Sequence, residues 1–228
     1  QLEKLSQQYL EGNQPEQAIH CLQRKLQLAT DPNEVINDHH ALGVIYRQQL
    51  QDPVRAVEEF KEALEIDPTH VMSFEAIEDI LKEHRQWNLL EEHYRDLIAA
   101  MPREEVELRA LLWRNLGELY ATTLKNLDGA IMAYEVVTKI EPDSHEDFDI
   151  LIRLYSYSEQ HRDKAIALCH DRLPLSPNPA PYLRHLLTLY HSRGDFDGVY
   201  AMCAALVQLG WAADSEKRMY DFLQQGMP

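Results

Sequence analysis

One short pattern returns along the whole chain, and any fold must accommodate it. Its best copy reads Trp113, Leu116, Gly117 and Tyr120, followed by Ala130, Tyr134 and Pro142. Leu42, Gly43 and Tyr46, then Ala56, Phe60, Ala63 and Pro68, make a second copy. Phe74, Ile77, Leu81, Leu90, Tyr94, Leu97 and Pro102 make another, with Glu78 in the place of Gly. Phe148, Leu151, Tyr155, Ala165 and Pro177 follow, then a weaker set of Leu186, Tyr190, Val199, Cys203 and Leu206. At the N-terminus Leu5, Tyr9, Ala18 and Leu22 form a partial copy. The equivalent positions Leu5, Leu42, Ile77, Leu116, Leu151 and Leu186 are separated by 37, 35, 39, 35 and 35 residues. A period of this size describes one supersecondary unit stacked in series, each unit burying its apolar face on its neighbours.

The spacing within each copy sets the unit. Apolar residues recur three, four and seven apart, the period of a helix with one buried face, and no alternating run bounded by hairpin turns appears. Small residues at Gly43, Gly117, Ala18, Ala56, Ala130 and Ala165 let two helices approach closely. Pro68, Pro102, Pro142 and Pro177 end the second helix of a pair, because Pro cannot continue a helix and drives the preceding residue out of the helical region. Leu42 to Pro68 and Leu116 to Pro142 both span 26 steps, so these two copies share a one-residue insertion. The long spacings before Leu42 and Leu116 predict an extra N-terminal turn on the first helix of those pairs. The Pro-rich stretch from Leu173 to Pro181 reads as a turn between units, because the register survives across it. Ala213 to Gln225 reads as an amphipathic cap with one charged face.

The segment from Trp113 to Tyr120 fits W-x2-L-G-x2-Y without a mismatch and resembles the tetratricopeptide repeat, whose period is about 34. The resemblance implies an all-α fold, a right-handed α-solenoid of about six helix pairs with a C-terminal capping helix. It implies a single array over residues 1–228, with units near 1–32, 33–68, 69–102, 103–142, 143–177 and 178–211 and a cap over 212–228.

Charge and composition narrow the partners. Lys and Arg number 22 against 38 Asp and Glu, a formal charge of −16. Nucleic acid and anionic membrane surfaces are themselves polyanions and are excluded as expected partners; a protein segment with a basic stretch fits better. No apolar run approaches the roughly 18 residues of a membrane span, and no signal peptide is expected. Cys21, Cys169 and Cys203 are too few and too scattered for a disulfide framework, which points to a reducing, cytoplasmic setting.

Nothing in the pattern supports chemistry. The 11 histidines lack ligand spacing: His39 and His40 are adjacent, and His185 and His191 are six apart. Acid pairs such as Glu58 and Glu59 sit on solvated helix faces, and no Gly-rich loop is present to cradle phosphate. The aromatics Trp113, Tyr120, Tyr46, Phe60, Tyr134 and Tyr155 lie on the repeat and read as core. No catalytic residue, metal or cofactor is therefore expected.

In tetratricopeptide arrays the first, or A, helices line a groove that holds segments of partner proteins. Carried over by register, the groove positions are Asn37, His40, Arg47 and Gln48 in the second unit and Glu75, Asp79, Lys82 and Glu83 in the third. Arg114 and Glu118 follow in the fourth, Asp149, Arg153 and Tyr157 in the fifth, and Arg184, Thr188 and His191 in the sixth. The family's Lys-Asn-Asn-Lys-Arg clamp for chaperone tails has no counterpart, so that ligand is not expected. The implied function is a scaffold or adaptor that binds a partner segment. A structural subunit of an oligomer, or the non-catalytic repeat part of a larger enzyme or regulator, stays open as the alternative.

Overall fold

The computed structural model describes residues 2–226. Thirteen α-helices and no strand occur among the described residues. They run as α1 (Leu2–Glu11), α2 (Pro15–Leu26), α3 (Pro32–Gln48), α4 (Pro53–Ile66), α5 (Val71–Glu83), α6 (Trp87–Ala100) and α7 (Val106–Glu118). Then come α8 (Leu127–Ile140), α9 (His145–Ser156), α10 (Arg162–Arg172), α11 (Ala180–Arg193), α12 (Phe196–Gln208) and α13 (Asp214–Gly226). The fold is all-α, as the repeat implies, with two helices to each copy of the pattern and α13 in the place of the cap. The chain forms two compact units, one reaching to Leu119 and the other starting at Tyr120.

Local sequence sets where the helices begin. Asp31 and Asp52 precede Pro32 and Pro53, and their carboxylates accept from the backbone N–H of Asn33 (3.0 Å) and Arg55 (3.1 Å). Asn126 and Asp195 do the same for Gly129 and Gly198, both at 2.9 Å. Each cap satisfies one donor the helix cannot bond internally, while Pro occupies a position whose N–H would be idle.

The turns inside the pairs show where the one-residue insertion went. In three copies the A helix closes on a backbone bond spanning five residues: Gln14 to Tyr9, Gln86 to Leu81 and Asp195 to Tyr190. In the copies with the insertion the closing bond spans six, from Asp52 to Tyr46 and from Asn126 to Tyr120. Near Tyr120 the extra residue is taken up by a π-helical turn, Leu119–Leu124, the usual way a helix absorbs one added residue. The left-handed residue of each such turn is Asn13, Gln51, Arg85, Lys125 or Gly194. The extra N-terminal turns are also present. Val106 stands ten residues ahead of Leu116, and Pro32 ten ahead of Leu42, whereas Val71 stands six ahead of Ile77.

The first unit is built on residues the repeat marks. Ala18, Ala56, Phe60, Ala63 and Ile77 have no exposed surface, and Leu42, Leu90 and Tyr94 have 1%. Gly43 meets Phe60 face to face: a Cβ added there would stand 2.5 Å from Phe60 Cε1. In the second unit Ala130, Tyr134, Leu151, Tyr155, Ala165, Cys169 and Leu186 share one cluster. Of the six aromatics read as core, Tyr46, Phe60, Tyr134 and Tyr155 are buried, and Trp113 and Tyr120 are half-buried. All three cysteines are buried thiols without a disulfide. Burial, with a smaller push from Asp149, raises the Cys169 thiol to about 12, so it is no nucleophile at neutral pH.

Candidate partner-binding surface

The candidate positions of the first unit lie on α3, α5 and α7. Asn37 and Gln48 are exposed, as are Glu75, Asp79, Lys82, Glu83 and Glu118, while Arg114 is half-buried. Several are tied to one another. The Arg47 guanidinium on α3 donates to Glu83 Oε1 on α5 at 2.8 Å and lies 3.7 Å from Asp79 Oδ2. Lys82 reaches back one turn to Glu78 at 2.7 Å. Glu78 also accepts from the Tyr94 hydroxyl on α6, which explains a carboxylate where the repeat usually has Gly. Burial, and then that bond, push the Tyr94 hydroxyl well above its ordinary range. Arg114 and Glu118 are likewise engaged within the protein.

His40 is not a free groove ligand. Its Nδ1 lies 3.1 Å from the buried Ser73 Oγ, which is also 2.9 Å from His70 Nδ1. The two rings meet edge-on at 5.3 Å, and Phe60 packs at 5.2 Å. Burial, then the neighbouring His70, holds the His40 imidazole below its ordinary range. Ser73 has no exposed surface, so this Ser–His pairing is structural.

The candidates of the second unit lie on α9, just past its C-terminal end at Tyr157, and on α11. Asp149 accepts from His185 on α11 (2.7 Å) and pairs with Arg153 one turn on (3.2 Å). Arg184 turns to the cap: its Nε donates to Glu216 Oε1 and an Nη to the Trp211 carbonyl, both at 2.8 Å. Thr188 donates to the Arg184 carbonyl at 3.0 Å. Tyr157 is 78% exposed, and His191 is also exposed.

The structure adds two residues the sequence reading passed over. Met72 and Leu111 stand five residues ahead of Ile77 and Leu116, as Asn37 stands five ahead of Leu42. They are 61% and 37% exposed. Leu111 joins Val71 around a small apolar hollow whose floor includes Phe74 and Leu97. The same register that gave Asn37 would have found both; a search for polar positions missed them. Among the described residues no group of three or more His, Cys, Asp or Glu is placed to hold a metal ion. No helix among them is long and apolar enough to cross a membrane.

Serial antiparallel helix pairs with a capping helix define an α-helical repeat protein. One copy of its repeat matches the model of the tetratricopeptide repeat family, over residues 39–70, which span the second half of α3, all of α4 and the turn to α5. The structure of Naa15/Naa10 bound to HypK-THB has a similar fold, with a TM-score of 0.64 at 14% identity, over 99% of this chain and 33% of that one. The C-terminal part of a TPR repeat-containing protein from Cytophaga hutchinsonii gives a TM-score of 0.52 at 13% identity, over 96% of this chain and 86% of that one. The pilF protein of Pseudomonas aeruginosa gives 0.45 at 20% identity, over 99% and 96%. No curated protein matches the sequence.

Proposed function

We propose that the chain is a non-catalytic scaffold or adaptor that holds a segment of a partner protein on the A-helix face. The observation that carries the reading is the outer stripe of α5. Met72, Glu75, Asp79 and Glu83 repeat at three or four residues and are exposed. The opposite side of the same helix is fixed by Phe74, Ile77 and Leu81, all at 6% exposure or less. A rigid helix presenting an apolar head and three carboxylates suits a segment with an apolar anchor followed by basic residues. The formal charge of −16 favours the same partner. Naa15/Naa10, which shares the fold, is itself seen bound to another protein, HypK-THB. The three buried, unpaired cysteines suit a reducing, cytoplasmic setting. Asn37 and Gln48 on α3 and Arg153, Tyr157, Thr188 and His191 in the second unit extend the candidate face.

The test is Glu75→Lys with Asp79→Lys. Partners captured with the parent chain are measured by calorimetry at low and high salt. Two reversed surface charges, each worth up to about 1 kcal/mol, weaken binding roughly tenfold at low salt and less at high salt. The fold survives, because Arg47 keeps Glu83. Unchanged affinity at low salt would place the partner on another surface.

A further inference from the structure

The B-helix side of the first unit carries a second, differently built feature. Between α4 and α6 lies an open cleft of about 470 Å³. Leu64 and Leu97 line it with apolar surface, and Lys61, Glu65 and Asp96 stand on its rim. His93 also lines it and is only 4% exposed, its ring stacked on Phe74 at 5.9 Å and 21°. His93 Nε2 is buried and has no hydrogen-bond partner among the described residues. A buried polar atom left unpaired forfeits its hydration without compensation, so it marks either a strained position or an absent partner. Burial, with a smaller contribution from Lys61, pushes the imidazole down to about 4, and the ring is neutral at pH 7.

The repeat supplies an internal comparison. The corresponding cleft in the second unit lies between α8 and α10, with Glu135 in the place of Lys61, Lys139 in that of Glu65 and Leu168 in that of His93. There the carboxylate is already taken: Glu135 accepts from the Tyr155 hydroxyl at 2.6 Å and from Lys164 at 3.2 Å. None of the residues lining that cleft carries a buried unpaired nitrogen; the nearby Arg172, whose Nε is buried without a partner, packs its guanidinium on Phe148 at 4.0 Å. In the α4–α6 cleft the polar groups of the rim form no ion pair with the rest of the described protein, and the rim sums to one negative charge. Two carboxylates on different helices, a neutral imidazole and an apolar floor form a receptor for a planar cation with several N–H donors on an aliphatic stem. That is the chemistry of a guanidinium, which carries five donors in a fixed fork and is more weakly hydrated than an ammonium.

We propose that the α4–α6 cleft receives an arginine side chain of a partner protein, its stem on Leu64 and Leu97 and its guanidinium between Glu65 and Asp96, donating to His93. This site stands apart from the A-helix face and does not depend on it. His93 Nε2 is itself closed to water, so the contact requires a side-chain adjustment of the kind interfaces commonly make.

The experiment uses the full chain with isotope-labelled histidine and three blocked tripeptides, Gly-Arg-Gly, Gly-Lys-Gly and the citrulline analogue of the first. The arginine peptide produces a saturable shift of the His93 ring resonances. The lysine peptide binds more weakly, and the uncharged citrulline peptide produces no such shift. Glu65→Gln with Asp96→Asn, both exposed positions that leave the circular dichroism unchanged, weakens the arginine peptide by about tenfold, the size of one lost charge-assisted hydrogen bond. The proposal is overturned if the arginine peptide gives no saturable His93 shift, if the lysine or citrulline peptide matches it, or if the double variant binds like the parent.

Discussion

Gly43→Ala isolates the closest approach between the two helices of a pair. The added Cβ would stand 2.5, 2.7 and 2.8 Å from three ring carbons of Phe60. Phe60 has no exposed surface, so its ring has nowhere to move without displacing the core. Overpacking of this kind costs about 1–3 kcal/mol, and a fully enclosed ring belongs at the upper end. Replacing Gly by Ala inside a helix returns about 1 kcal/mol of helix propensity. The net expectation is a loss of about 1–2 kcal/mol, read as a lower urea midpoint with an unchanged slope. Gly198 is a useful contrast. Its added Cβ would stand 2.6 Å from Tyr190 Cγ, but Tyr190 is only half-buried and has room to shift. Gly198→Ala therefore costs less than Gly43→Ala. Adding Phe60→Leu to Gly43→Ala should recover part of the loss, because the two changes compete for one space and their costs do not add. A Gly43→Ala chain more stable than the parent by the full propensity gain, or strictly additive costs in the double variant, would refute the packing argument.

The His93 imidazole falls from 6.5 to about 4 on folding, so its neutral form contributes stability that is complete above about pH 6.5. That contribution, on the order of 3 kcal/mol, is lost as pH falls from 6.5 towards 4, because the unfolded chain takes up the proton first. The stability difference between parent and His93→Phe should therefore drift across this window; a constant difference would show that the folded imidazole titrates normally. Glu216 is held below the usual carboxylate range first by Arg184 and then by the Ala213 N–H. Glu216→Ala should release α13 at a cost of about 1 kcal/mol, since Arg184 is 45% exposed and the pair is screened. Hydrogen exchange should then quicken in α13 ahead of α12, and equal protection of both helices would overturn the assignment.

The repeat made the helices legible because period and punctuation agree. Leu42, Ile77, Leu151 and Leu186 are buried where the register put them, and Gly43 faces Phe60 as a small residue between helices should. The one-residue insertion was also visible, as the shared 26-residue step. Its outcome was not, because a longer turn and a π-helical turn both satisfy the same count. The candidate face was legible only as positions. Spacing along one helix says nothing about the neighbouring helix, so the partners of Arg47 and Arg184 could not be read. Ion pairing across repeats depends on side chains more than 30 residues apart. Glu78 is the clearest case: it departs from the pattern, and only Tyr94 from the next helix gives the reason. His93 was one of 11 histidines without a motif, and its burial follows from tertiary packing alone.

These pairings bear on how the A-helix face could work. Arg47 and Glu83, His185 and Asp149, and Arg184 and Glu216 each join one A helix to the next, or to the cap. A charge spent in such a link must leave it before a partner can use it, and the gain is then reduced by the bond given up. Side chains outside the links carry no such cost. On α5 these are Met72 and Glu75, and in the second unit Tyr157 and His191. Selectivity should therefore concentrate at Met72 and Glu75, while Asp79 and Glu83 hold α5 against α3 and contribute mainly to the field a basic segment meets on approach. Separate substitutions at Glu75 and Glu83 distinguish the two roles. The first changes the dissociation rate of the partner, and the second changes chiefly the salt dependence of association.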